Sequence, residues 1–453
     1  MADSANSQLF SHGFYSLLDR ISMVFFGFLT IFFMARMMTK EEIGIWVLFT
    51  SVTAILEMVR VGFIRNPFIT HLVSAEDGHK PKIVTASFIL HCGLALAISV
   101  FILGTAVPLA RFWNASELVP LFFVYAINNL VYIPFHHCEY LQQAQLKFRG
   151  IFISNIFRLG ILSIYIIIKY IFNNTPTLLE LAIVQLIASV VSCFVSYSFV
   201  RGTIRYSPTV DKKMLVELFH YGKFTLGTNI SSMFVKNTDS WMIGRLISAA
   251  GVAIYNPAVR LSNLVEVPTV AIAGVFFPQV AQRLKEQGPE GVREVYIKSV
   301  SLILALTLPM VLPLYIFAEL AITLIFGAEY LDAAAILRVT LFYTLIIPFN
   351  RQFGTVMDGT KNPKINFYLL VLVAVLNIVF NFIFLSQFGV IGSAFATLIS
   401  YGIVFILNQI ILYRKFGINT LRVFREIFEW YRTGWTFASK RILKFYKNPY
   451  TSL

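Results

Sequence analysis

Apolar runs longer than a bilayer is thick recur along this chain, and several carry full charges in their interior. The stretch from Phe219 to Ser248 is mostly apolar yet holds Lys223, Lys236, Asp239 and Arg245. The stretch from Gly251 to Leu284 holds Tyr255, Arg260, Glu266, Pro268 and Pro278. Each exceeds the roughly 20 residues that an α-helix needs to cross hydrocarbon. A charge at mid-membrane costs about 3 kcal/mol or more and persists only where it faces protein, water or a ligand. Something other than lipid must therefore stand against one side of these helices.

Twelve such spans follow from the apolar pattern, at roughly 12–37, 43–72, 83–110, 117–141, 149–171, 178–200, 215–247, 250–284, 294–318, 333–357, 364–386 and 389–412. Charged residues make up 13% of the chain, about half the roughly 25% of a soluble domain. The reading is an all-α integral membrane protein with an N-terminal lobe at 1–205, a C-terminal lobe at 206–415 and a basic amphipathic tail at 416–453. The formal net charge of +14 does not call for nucleic acid, because Lys and Arg collect in the cytoplasmic loops of membrane proteins. Alternate connections are rich in them: Lys80 and Lys82, Lys147 and Arg149, Arg201 through Lys213, Arg283 through Lys298, Lys361 and Lys364. That side is expected to be cytoplasmic, with both termini inside. Cys92, Cys138 and Cys193 lie far apart in apolar stretches and read as small buried hydrophobes, neither disulfides nor a metal site.

The tail places Arg422, Arg425, Arg432, Lys440, Arg441, Lys444 and Lys447 against only Glu426 and Glu429. Phe424, Phe428, Trp430, Trp435, Phe437 and Phe445 lie between them. A helix of this kind adsorbs on an anionic membrane surface; a solvated, topology-fixing tail is the alternative.

The two halves repeat. Arg36, Gly44, Trp46 and Glu57 lie 209 positions before Arg245, Ala253, Tyr255 and Glu266. Ile133, Pro134, Phe135 and Lys147 lie 214 positions before Ile347, Pro348, Phe349 and Lys361. Six spans per half gives two lobes in the same orientation, related by a pseudo-two-fold axis along the membrane normal.

Residues 28–38 followed by Thr39-Lys40-Glu41-Glu42-Ile43-Gly44-Ile45-Trp46, and then Gly62-Phe63-Ile64-Arg65, resemble the opening of bacterial polysaccharide transporters. Asn237-Thr238-Asp239 to Gly244-Arg245, Ala253 to Ala258 and Phe277-Pro278 are similar to the same family. This is the O-antigen/polysaccharide flippase branch of the multidrug/oligosaccharidyl-lipid/polysaccharide (MOP) superfamily. The resemblance implies a bacterial inner-membrane transporter, not an enzyme. It would carry an undecaprenyl-pyrophosphate-linked oligosaccharide to the outer leaflet by alternating access.

Cations within or near the spans are Arg20, Arg60, Arg65, Arg158, Lys223, Lys236, Arg260 and Arg351, against the acids Asp19, Glu57, Asp239 and Glu266. If they line one cavity it is cationic, and planar guanidinium forks match pyrophosphate oxygens. Glu57 with Arg60 and Lys236 with Asp239 are spaced for intrahelical pairs. Arg20, Arg65 and Lys223 could snorkel to the interface. Arg158, Arg260 and Arg351 have no acid three or four residues away, so they most need a ligand or a cross-helix partner. The four acids are candidates for coupling H+ or Na+. His136-His137-Cys138-Glu139 is no metal motif, since successive helical residues diverge by about 100°; the expected helix end is at Pro134, with polar groups facing the cavity. No Walker loop, hydrolase elbow or paired-histidine motif occurs, so no cofactor is expected. Partners would be the lipid-linked oligosaccharide, membrane lipids and polymer-assembly proteins. A drug/cation antiporter of the same superfamily would favour an acidic or apolar cavity. A glycan polymerase would carry a large outside loop, whereas none here exceeds about 15 residues, and duplication suits transport.

Overall fold

Thr39 and Thr177 each start a helix with a reciprocal cap. The threonine hydroxyl accepts from the N–H of Glu42 or Glu180, whose carboxylate accepts from the threonine N–H in return. Such caps satisfy orphan donors at a helix start and contribute about 1 kcal/mol each. In the computed structural model of the chain the backbone is described at 2–203 and 205–447. Side chains are described from 14 onward except at 204, 221, 223–235, 434, 435 and beyond 436. Among these residues every regular element is helical. Ten segments among the described residues are long and apolar enough to cross a membrane, and the chain is a multi-pass membrane protein.

The first unit is Met1–Ala253. It holds α1 (Ala2–Met37), α2 (Lys40–Arg60), α3 (Asn66–Ser74), α4 (Lys80–Phe112), α5 (Leu118–Ala144), α6 (Phe148–Ile171), α7 (Leu178–Ser198) and α8 (Lys212–Leu246). α1 packs on α6, α5 lies against α4 and α7, and α8 packs on α2 and α4. Trp241 fastens α8 by donating to Ser51 Oγ at 2.8 Å, while its carbonyl accepts from Trp113 Nε1 at 3.1 Å. Between α2 and α3 the backbone widens into a π-helical turn, Val61–Arg65. Pro67 explains it: a proline has no N–H for the carbonyl of Phe63, and its ring collides with that carbonyl in an α-helix. Gly222 of α8 fits there, because a Cβ on it would press on the freed Phe63 carbonyl.

The second unit is Ile254–Leu453. α9 (Ala249–Val265) runs into it from the first. α10 (Val267–Ile316) is broken at Gly288, whose φ of 63° and ψ of −147° are not helical. α11 (Ala318–Phe326), α12 (Ala333–Gly359), α13 (Pro363–Phe388), α14 (Ile391–Phe416) and α15 (Leu421–Lys447) complete it. α12 packs on α10 and α14, α13 on α14, and α15 on α10.

Four helix ends close in one way. Asn114, Leu146, Asn173 and Lys361 have φ between 49° and 61°. The N–H of the next residue, at Ala115, Lys147, Asn174 and Asn362, then bonds a carbonyl five residues back. This left-handed closure satisfies carbonyls a helix end leaves open. The corners at Leu146 and Lys361 lie within one residue of matching places in the two halves, each following a helix with an internal proline, Pro134 in α5 and Pro348 in α12. α5 thus runs on ten residues past Pro134 to Ala144, and the helix end expected at Pro134 is not there. Pro348 is fully accommodated within α12 in the same manner.

Candidate functional site

Arg60 closes the last turn of α2 and is fully buried. Its Nη1 stands 3.3 Å from Glu57 Oε2, so the intrahelical pair forms. Its Nη2 donates to the carbonyl and side-chain oxygens of Asn129 on α5. Asn129 in turn donates to the Ala95 carbonyl at 2.7 Å and to Ser99 Oγ at 2.8 Å on α4. Three helices are thereby tied at one buried cation, which no substrate can reach directly.

Glu57 points outward from this tie and keeps 27% side-chain exposure. It accepts from the Tyr125 hydroxyl at 3.1 Å and faces His136 Nε2 at 3.4 Å. The opposite nitrogen of that ring, Nδ1, lies 2.8 Å from Glu139 Oε2. A single imidazole therefore bridges two carboxylates. Tyr132 and Tyr140 flank the ring, the latter stacked at 5.7 Å. His137 points elsewhere, against Phe68, Phe88 and Tyr206, as a 100° step along a helix requires.

Next to the bridge lie two arginines held by neutral amides. Arg158 Nε donates to Asn155 Oδ1 at 3.2 Å, and its guanidinium also meets Tyr132 and stands over Phe135. Asn155 donates to Asp19 Oδ1 at 3.0 Å, which ties Asp19 into the group while its neighbour Arg20 is exposed. Arg65, at the end of the π turn, donates from Nε to Gln143 Oε1 at 2.9 Å. The second unit repeats the device: Arg260 Nε donates to Asn256 Oδ1 at 2.6 Å. Among the described residues the ion pairs involve none of these three arginines. An amide at Nε fixes a guanidinium without neutralising it and directs its terminal nitrogens away from the anchor.

The remaining sequence candidates are scattered. Lys236 and Arg351 are exposed, and Asp239 is buried. Glu266 stands at the join of α9 and α10. The side chain of Lys223 lies outside the described residues. The structure thus brings together Asp19, Glu57, Arg60, Arg65 and Arg158 within the first unit and leaves Arg260 and Arg351 within the second. Sequence reasoning missed His136, Glu139, Tyr125 and the anchoring amides. The signal for the pair was the three-residue step from His136 to Glu139, which puts both on one helix face.

Residues 33–335 match the family described as polysaccharide biosynthesis protein, and the chain belongs to that family. It is 24% identical over 226 residues to a protein of Haloferax volcanii named as a probable low-salt glycan biosynthesis flippase, covering 50% of this chain and 46% of that one. It is 22% identical over 306 residues to a teichuronic acid biosynthesis protein of Bacillus subtilis, covering 66% and 61%. The chain thus spans between about half and three fifths of the length of these relatives. Its fold is shared with an inward-facing multidrug resistance MATE family transporter of the MOP superfamily, at TM-score 0.76 and 14% identity over 87% of this chain and 94% of that one. It is shared too with a lipid II flippase in an inward closed conformation, at TM-score 0.71 and 16% identity over 93% and 92%.

Proposed function

We propose that this member of the polysaccharide biosynthesis protein family is a flippase, not an enzyme. Its cargo is an undecaprenyl-pyrophosphate-linked oligosaccharide, moved from the inner to the outer leaflet of a bacterial inner membrane by alternating access through a cationic cavity. The observation that carries this reading is the set of amide-anchored arginines, Arg65, Arg158 and Arg260. Each offers a pre-oriented guanidinium fork suited to a phosphate oxygen pair, and Glu139 is the acid near Arg65 and Arg158. A buried anion would otherwise pay a prohibitive desolvation cost. The names of the relatives and the shared fold support the same class of cargo. A multidrug antiporter draws support from the fold alone, and an excess of arginine charge would repel cationic drugs. The lobes at 1–205 and 206–415 and the cytoplasmic placing of both termini belong to this proposal; the similar corners at Leu146 and Lys361 support the duplication.

H+ is the coupling ion in this reading, and the bridge of Glu57, His136 and Glu139 is its seat. A neutral imidazole has one N–H and one lone pair. One N–H serves one of the two carboxylates, and in this reading the transported proton serves the other. The partial exposure of Glu57 gives that proton a route to water. In a strain lacking the protein, lipid-linked repeat units should accumulate on the cytoplasmic face. The native chain should clear them, and a variant with Arg65, Arg158 and Arg260 all changed to Ala should insert normally yet fail. Full clearance by that triple variant would remove the proposal.

A further inference from the structure

α15 divides its surface into sectors that face different surroundings. One side, with Val423, Ile427 and Trp430, belongs to the apolar core formed with α10, α12 and α14. Trp430 Nε1 donates to Ser301 Oγ at 2.9 Å, and the Tyr431 hydroxyl donates to the Ala305 carbonyl at 2.9 Å. Both acceptors lie in the apolar half of α10, so α15 is fastened beside a membrane-spanning segment. The connection to it is fixed as well: Thr420 Oγ1 donates to Gln409 Oε1 at 2.5 Å.

The adjoining side is apolar and open. Leu421, Phe424, Phe428 and Tyr431 are 74, 52, 73 and 41% exposed. At 100° per residue they form one continuous sector next to the docked one. Arg425 and Arg432 follow at its far border and are exposed; Glu429, Arg422 and Glu426 come after them, with Arg422 between the two acids. The order around the helix is thus protein, apolar, cationic, mixed charge. Water does not suit four large exposed apolar side chains in a contiguous patch. A bilayer suits this order: acyl chains meet the apolar sector, headgroup phosphates meet Arg425 and Arg432 at its edge, and the mixed-charge sector with Glu426, Glu429 and Arg422 stays in water.

The geometry points to α15 as a membrane-interface element that binds anionic phospholipid, with Leu421, Phe424 and Phe428 among the acyl chains and Arg425 and Arg432 on the lipid phosphates. Because α15 is bonded to α10 at Ser301 and Ala305, the charge of the leaflet bears on a transmembrane helix through it. This assignment is independent of the cargo and stands or falls apart from it.

The test uses the full chain in nanodiscs, with Cys92, Cys138 and Cys193 changed to Ser and a spin label placed at Phe428→Cys or Glu429→Cys. In phosphatidylcholine with phosphatidylglycerol, the label at 428 should be relaxed by oxygen and the label at 429 by a water-soluble nickel chelate. Arg425→Glu with Arg432→Glu, both on the open surface, should lower the phosphatidylglycerol that co-purifies with the protein by about fivefold per arginine. Nickel access at both positions, or equal phosphatidylglycerol retention by the charge-reversed chain, would overturn the assignment. A label at 428 shielded from both reagents and close to that of another copy would assign the sector to self-association instead, and would overturn it equally.

Discussion

The Nε2 atom of His136 on α5 lies 3.4 Å from the carboxylate of Glu57 on α2, an imidazole and a carboxylate facing each other from two helices. His136→Gln keeps a donor but cannot take up a proton. In proteoliposomes with an imposed pH difference, the native chain should transport faster than without it, and His136→Gln should transport at one rate in both. A variant still stimulated by the gradient would place the coupling site elsewhere.

Arg60 is a structural cation. With Arg60→Met, Glu57 loses its buried partner and stability should fall by about 3–5 kcal/mol, the usual result of breaking a buried pair from one side. Adding Glu57→Gln should restore most of the loss, because no uncompensated charge is then left. Thermal unfolding in detergent measures both. Equal melting of the single and double variants would show that the pair is not what holds these helices.

Arg158 is held for its fork. Arg158→Lys preserves the charge and loses the planar pair of donors, so binding of a pyrophosphate-bearing lipid should weaken about tenfold, the scale of one hydrogen bond to a charged group. Asn155→Ala should weaken it as well, by freeing the guanidinium from its anchor. Unchanged affinity in Arg158→Lys would mean that charge alone matters there.

Gly44 and Leu146 report on local geometry. A Cβ at Gly44 would overlap the backbone of Ala249, so Gly44→Ala should destabilise the contact of α2 with the start of α9. Leu146 has φ of 58°, a conformation that costs an L-residue about 1–2 kcal/mol, and its side chain is 53% exposed. Leu146→Gly should therefore leave stability unchanged or raise it by up to about 1 kcal/mol. Opposite signs in the melting temperatures of these two variants check the backbone account.

Much of this was legible in the residues themselves. Apolar length gave the spanning helices, and the spacing of Glu57 and Arg60 gave their pair. Arg158 and Arg260, lacking acids at helical spacing, are expected to need a ligand or a cross-helix partner, whereas the anchor of each Nε lies one turn back on its own helix. The partner in each case is an amide, Asn155 or Asn256, which carries no charge and so leaves no trace in a charge count. The π turn escaped notice because Gly62 and Pro67 lie in an otherwise unbroken apolar run. Pro134 pointed to a helix end that does not occur, since a long apolar helix packed on both sides tolerates the lost hydrogen bond. The His136 bridge needed tertiary structure, because Glu57 and His136 are 79 positions apart.

The most direct measurement is leaflet exchange by the purified chain in proteoliposomes, using a fluorescent polyprenyl-pyrophosphate-linked oligosaccharide and an impermeant quencher. The account predicts that the native protein exposes the inner-leaflet lipid to the quencher and that the Arg65, Arg158 and Arg260 triple alanine variant does not. Equal exchange by both proteins, or none by the native chain above empty liposomes, would contradict it.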